Sequence, residues 1–362
     1  MKRICLLSSV VALFALTAAA EIPAWAERSI AETYARFKAW KGNDEVVVIP
    51  TISDIHDFEV ESASQPDFAR SAFHLLILKR AGEVFKADLT VNLGDLGLDC
   101  EGHWAKPSSA AHQAKRLQVE AELVSRFSRP HFELIGNHDH GAATNRITSA
   151  DFGHLLNPAS ASRVKGFVSG SASRDYGYFD FPAKGVRAIL LNTSDAIPNT
   201  YAISDEQLAF LRHSLAELGK GDNPKRAVIF CHYCIYQQLG RWDASWRANG
   251  CKLLGGNLPL AKAAIEEFAQ RSDGTRLVGV FCGDSHFSCH LRENGVRWAI
   301  TQGFGGVSPK EIPTTPAPGV SLGWINRSEE TLLDVVAYKP ATDEFRVFRI
   351  GKGGSAADIT AW

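Results

Sequence analysis

The stretch Val46-Val47-Val48-Ile49-Pro50-Thr51-Ile52-Ser53-Asp54-Ile55-His56 sets a pattern that recurs along the chain. A short apolar run rich in β-branched residues stops abruptly in polar residues that include Asp and His. Such a run reads as a buried strand. In extended chain, residues two apart point the same way, so Asp54 and His56 can grip one ion. The same grammar returns four times. Asn92-Leu93-Gly94-Asp95 closes the run 87–93, and Gly136-Asn137-His138-Asp139 follows the run 131–135. His232 follows the run 226–231, and Gly283-Asp284-Ser285-His286 follows the run 275–282. A further run spans 186–192.

Helical patterns lie between these runs, at about 68–86, 109–127, 205–218 and 260–271. Ser204 followed by Gln207 predicts a capping box at the start of the third. Strand-like runs alternating with helices predict a layered α/β domain. The C-terminal stretch differs: strands at 297–303, 331–337 and 344–350 have no helices between them, and 339–343 forms a turn. They are expected to form a second, more antiparallel layer of the same domain. The chain divides into residues 1–26, a helical segment within 27–44, one catalytic domain over 45–352 and a tail at 353–362.

Net charge is −1 over 362 residues. Without a basic excess to neutralise a phosphate backbone, stable nucleic-acid binding is not expected. Residues 1–26 have the layout of a secretory signal peptide: Lys2 and Arg3, a mostly apolar run from Ile4 to Ala20, then Ala24-Trp25-Ala26 as a cleavage site, with Ala18-Ala19-Ala20 as a second. This predicts an extracytoplasmic protein, periplasmic or secreted, with no membrane span once the signal is removed. Six cysteines remain, and they allow fifteen pairings. Cys231 and Cys282 sit in strand-like runs and read as buried thiols, while Cys234 and Cys251 flank a loop and are the favoured pair. The sequence leaves the oligomeric state open.

Acidic and imidazole ligands at the ends of several strands suit divalent ions, because open α/β sheets bind ligands at the carboxyl ends of their strands. Two such ions about 4 Å apart activate a shared water as hydroxide and clamp a phosphate ester. Mixed nitrogen and oxygen ligands favour Mn, Fe or Zn.

In this order, Asp54-x-His56, Gly94-Asp95, Gly136-Asn137-His138-Asp139, an isolated His232 and Gly283-x-x-His286 resemble the calcineurin-like metallophosphoesterases over about residues 45–290. The resemblance implies a β-sandwich core of two layers flanked by helices, with a dinuclear metal site at strand C-terminal ends and a small phosphorylated substrate. It implies that Asp54, His56 and His286 hold one ion, that Asp95 bridges, and that Asn137 and His232 hold the other. His138 would contact the phosphoryl group and protonate the leaving oxygen, with Asp139 orienting its ring. One position departs from the family pattern: Asp284 stands where a histidine is usual. A carboxylate there still suits a metal, and the substitution predicts a harder second site. It is also the one support for the alternative reading, a metal-binding protein of the same fold with impaired catalysis. Leu98 occupies the place of the iron-binding tyrosine of purple acid phosphatases, which argues against that type. His103, Trp104 and His140 follow the motifs closely enough to line a site. Arg241, Trp242, Trp246 and Arg247 lie in the long loop after His232, suited either to stacking on and pairing with a substrate or to packing a surface loop stapled by Cys234 and Cys251.

Overall fold

The strand β1 (Val47–Ile52) is buried along its whole length, as a strand covered on both faces must be. Val48 and Ile52 belong to one apolar cluster, and Val47 and Ile49 to another on the opposite face. This alternation sets the layering of the molecule. The structure is a computed structural model, and it describes residues 22–55, 69–98, 109–140, 147–194, 202–236, 257–284, 289–301, 321–322 and 332–351.

Beside β1 run β2 (Thr90–Asn92) and β3 (His131–Glu133), all parallel. On its other side β1 pairs antiparallel with β12 (Leu332–Lys339), which pairs with β13 (Glu344–Gly351). The order of this sheet is β13-β12-β1-β2-β3. A second sheet has the parallel strands β6 (Val186–Leu191), β7 (Arg226–Cys231), β8 (Arg276–Cys282) and β10 (Val296–Ile300) at its centre. It is flanked by the antiparallel strands β4 (Phe167–Ser169) and β5 (Gly177–Phe181) on one side. On the other lie β9 (Cys289–Glu293) and β11 (Ser321–Leu322).

Between the sheets packs an inner core that includes Val47, Phe132, Val336, Phe179, Leu190, Phe230 and Phe281. Phe230 stacks on Phe281 with ring centroids 5.5 Å apart, and truncating one such ring costs about 3–5 kcal/mol. The outer face of the first sheet is covered by α1 (Ala24–Lys41), α2 (Ala69–Val84), α3 (Ala110–Ser125) and α4 (Ser149–Leu156). The outer face of the second is covered by α5 (Asp205–Ala216) and α6 (Leu258–Ala269). The architecture is helix, sheet, sheet, helix, and the expected two-layered β core flanked by helices is present. Among the described residues no helix is long and apolar enough to cross a membrane.

Three local details differ from the sequence reading. The C-terminal strands do not form a layer of their own: β12 and β13 extend the first sheet, while β10 joins the second in parallel to β8. Pairing with β12 satisfies the edge of β1 that faces away from β2. The box at Ser204 is half formed. Its hydroxyl accepts from the Gln207 amide at 3.1 Å, but the Gln207 side chain spans the backbone N–H and C=O of Asn192. The complete box stands instead at α4, between Thr148 and Asp151. Finally, α1 begins at Ala24, and Ala26 is fully buried in the outer core with Ile30 and Phe37. The cleavage motif Ala24-Trp25-Ala26 therefore forms the first turn of a packed helix; residues 1–21 lie outside the described residues. Cys231, Cys234 and Cys282 are buried free thiols, and Cys251, the expected partner of Cys234, lies outside the described residues.

Candidate metal centre

Five strand ends meet on one side of the sandwich. β1 delivers Asp54, β2 delivers Asp95, β3 leads to Asn137, His138 and Asp139, β7 delivers His232 and β8 delivers Asp284. Asp54, Asp95 and Asp284 all adopt left-handed backbone, with φ of 54°, 61° and 69°. Such conformations cost roughly 1–2 kcal/mol for a residue with a Cβ, and Asp tolerates them best. Three of them at adjoining strand ends mark a place where side-chain direction outweighs backbone comfort.

The two sheets are tied together here. The Asp54 amide donates to the Gly94 carbonyl at 2.9 Å, linking β1 to β2. The Asp284 amide donates to both Asp54 carboxylate oxygens, at 3.2 and 3.1 Å. His232 faces Leu93, whose carbonyl lies 3.0 Å from Nδ1. A carbonyl only accepts, so Nδ1 carries the proton. The other ring nitrogen, Nε2, is thereby aimed at the carboxylates: it lies 3.1 Å from Asn137 Oδ1, 3.4 Å from Asp95 Oδ1 and 3.8 Å from Asp284 Oδ1. Fixing one ring nitrogen on a backbone carbonyl is how a metal-binding histidine is oriented.

Electrostatics point the same way. Burial opposes a charged His232 ring, but Asp95, Asp54 and Asp284 outweigh it and push the imidazole up to about 10. The cluster thus draws positive charge inward. Ligand atoms of Asp54, Asp95 and His232 all lie within 4.8 Å of one another, and all three residues are buried. Among the described residues no other group of three acids, histidines or cysteines meets that spacing. Two carboxylates and an aimed imidazole nitrogen fit a borderline divalent ion such as Mn, Fe or Zn. Asn137 and Asp284 stand against the same His232 nitrogen, where they are able to complete a second position. His56 and His286 lie outside the described residues.

His138 and Asp139 occupy positions of different kinds. The His138 backbone amide donates to Asp95 Oδ1 at 2.8 Å, which sets its loop against the centre. Asp139 is buried, and its carboxylate accepts three backbone amides: Asp95 and Gly136 at 2.8 Å and Gly97 at 3.1 Å. Burial, then the neighbouring charge of Asp95, pushes its carboxyl up to about 7 against the pull of those amides. Its hydrogen bonds join the Asp95 loop to the Asn137 loop. Gly136 makes the seam possible. A Cβ there would stand 2.0 Å from Asp95 Oδ1.

The sequence reading missed Arg116, a buried arginine on α3 that reaches the same loop. Its guanidinium donates to the carbonyls of Gly97 and, at 2.8 Å, of Leu96. A signal was available: Gln113, Arg116, Leu117, Glu120 and Val124 share the buried face of α3, so polar residues interrupt an apolar stripe. Of the other residues singled out, His140 is buried, with its ring on the Ser194 carbonyl. Leu98 packs in the outer core. His103, Trp104 and the loop carrying Arg241, Trp242, Trp246 and Arg247 lie outside the described residues.

No family model matches the chain, and no curated protein matches it. Solved structures do resemble it. The anchor in the inner membrane complex of Plasmodium shares 11% identity at a TM-score of 0.48, covering 87% of this chain and 88% of that one. A purple acid phosphatase from yellow lupin (Lupinus luteus) seeds shares 14% at a TM-score of 0.48, covering 85% of this chain and 54% of that one. The phosphopantetheinyl hydrolase of Mycobacterium tuberculosis shares 14% at a TM-score of 0.38, covering 76% and 95%. The chain spans about half the length of the lupin enzyme. These values are low, and the chemistry of the centre rests on its own residues.

Proposed function

We propose that this chain is a metal-dependent hydrolase of phosphoric esters, of the calcineurin-like kind that its motifs resemble. The observation that carries the reading is the convergence of Asp54, Asp95 and His232 within 4.8 Å, all buried, with Nε2 of His232 aimed at the carboxylates. Asp54 and Asp95, with His56 and His286, would hold one ion, while Asp95, Asn137, His232 and Asp284 would hold the other. Two bound divalent ions supply the Lewis acidity that activates water and offsets phosphoryl charge. The protein's part is to bring the ligands together and to keep them out of bulk water. His138 then stands beside the centre as proton donor to the leaving oxygen. Elemental analysis and a panel of chromogenic mono- and diesters assayed with Mn, Zn and Fe test this. Fewer than about half an ion per chain after reconstitution overturns the dinuclear reading, and full ion content with no hydrolysis of any ester favours the impaired alternative.

We propose further that the chain is exported through its N-terminal apolar segment. Of the two cleavage sites, the one after Ala20 leaves α1 whole. The one after Ala26 would remove a buried residue and the Pro23 carbonyl that accepts the Ala26 amide at 2.8 Å.

A further inference from the structure

The loop that carries Asp95 is buried, and its backbone groups need partners inside the protein. Two side chains of opposite charge supply them. Asp139 accepts the amides of Asp95 and Gly97, and Arg116 donates to the carbonyls of Leu96 and Gly97. Arg116 is only 1% exposed and sits in the middle of α3, on the face packed toward the first sheet. Taking a guanidinium out of water is expensive unless it is well bonded. Apolar side chains would fill this face of α3 without that cost, as Leu117 and Val124 do. What the guanidinium adds is a fixed pair of donors from a rigid helix to the residues directly after Asp95. Asp95 itself holds left-handed backbone and needs such restraint.

We infer that Arg116 is a positioning residue for the metal centre: with Asp139 opposite, it clamps the Asp95 loop and so sets the affinity for the ion that Asp95 binds. This rests on the metal-binding reading above. Loss of an outer partner of this kind lowers metal affinity by about 10- to 100-fold. The control is Arg187, another buried arginine, which pairs with Asp180 and the Ser214 carbonyl near the start of β6, at the opposite strand end from the centre.

Metal-free full-length wild type, Arg116→Met, Arg116→Lys and Arg187→Met are titrated calorimetrically with Mn alone and with Zn alone. The cobalt-loaded forms are compared by visible absorption. Arg116→Met is expected to bind at least one ion about 10- to 100-fold more weakly, Arg116→Lys to recover part of the loss, and both to shift the cobalt bands. Arg187→Met is expected to lower the unfolding temperature while leaving affinities and bands unchanged. If Arg116→Met does not fold, Arg116→Lys decides alone, with weaker binding and shifted bands as the supporting result. Wild-type affinity and bands in the Arg116 variants overturn the inference, and so does an equal loss in Arg187→Met. A wild type that binds no ion overturns the proposed function first, so the two failures are told apart.

Discussion

Replacing Gly136 by Ala adds one methyl group at the seam between the Asp95 and Asn137 loops, and the structure sets the size of the effect. The φ of Gly136 lies outside the left-handed region, so Ala is compatible with the backbone and on that count stabilises by up to about 1 kcal/mol. Contact decides the sign. The new carbon would stand 2.0 Å from Asp95 Oδ1 and 2.3 Å from the Asp95 nitrogen, whereas carbon contacts settle at roughly 3.5 Å. The loops must part by more than about 1 Å, because the Asp95 nitrogen is backbone and cannot swing aside. Across that seam run the Asp95 amide to Asp139 and the His138 amide to Asp95, each at 2.8 Å. At a pH well above the Asp139 value of about 7, both acceptors are charged; such bonds contribute about 1.5–3 kcal/mol each, so losing two costs about 3–6 kcal/mol. The net destabilisation is therefore roughly 2–5 kcal/mol after the backbone gain. Denaturant unfolding of the metal-free protein reads it, and ion content after reconstitution with Mn or Zn should fall in parallel. Gly279→Ala is the control: its nearest contacts are Phe281 at 3.2 Å and the Arg297 carbonyl at 3.3 Å, so its neighbours need give by only a few tenths of an ångström. It is expected within about 1 kcal/mol of wild type. If Gly136→Ala matches wild type in stability and ion content, the packed seam is not what holds Asp95 in place.

Three further outcomes are expected. Asp284→Ala should lose one ion selectively while the ion held by Asp54 and Asp95 remains, and Asp284→His should restore two and shift the preference toward Zn; titration with Mn and Zn checks both, and two ions at unchanged affinity in Asp284→Ala would refute ligation. His138→Ala should keep its ions but turn over esters ~10²-fold more slowly, and full activity on every ester would remove His138 from the reaction. Intact mass of protein recovered from the extracytoplasmic fraction should place the mature N-terminus at Glu21, and a chain beginning at Glu27 would show that the first turn of α1 is dispensable.

The central strands were readable because burial on both faces leaves a continuous apolar run. The run 226–231 matches β7 residue for residue, and the expected strand 186–192 overshoots β6 by one. β2 and β3 are three residues each, shorter than their apolar runs, because ladder pairing stops before the chain turns into the ligand loops while burial continues through Leu93 and Ile135. Segments with fewer apolar residues escaped notice. β4 has no fully buried residue, and β5 is only partly buried. α4 is eight residues long, although the Thr148–Asp151 box and buried Phe152 and Leu156 were readable signs of a helix. Partner choice among the C-terminal strands was not readable, since alternation tells a strand which faces it has but not which neighbour it joins.

The candidate site divides along the same physical line. A candidate ligand at a strand end is announced by the apolar run before it, so Asp54, Asp95, Asn137, His232 and Asp284 could be named one strand at a time. A brace such as Arg116 shows only as a polar residue on the apolar stripe of α3, and what it braces stays hidden, because its partners are carbonyls 19 and 20 residues away. Asp284 stands between these cases. Its register with Val228 onward depends on an irregularity between β7 and β8, where Ala227 pairs with Leu277 but Val228 pairs with Gly279. The extra residue, Val278, reverses the alternation: Leu277, Val280 and Cys282 face the outer core, while Val278 and Phe281 face the inner one. Strict alternation from Leu277 would have put Cys282 on the inner side and turned the following residues the other way. The irregularity places Cys282 beside Cys231, with sulfurs 3.8 Å apart, and leads the chain through Gly283, whose amide donates to the His232 carbonyl at 2.8 Å. That bond sets the next residue against His232. Asp284, the one candidate position at which this chain departs from the pattern it resembles, therefore owes its placement to one inserted strand residue, which period counting along β8 alone does not reveal.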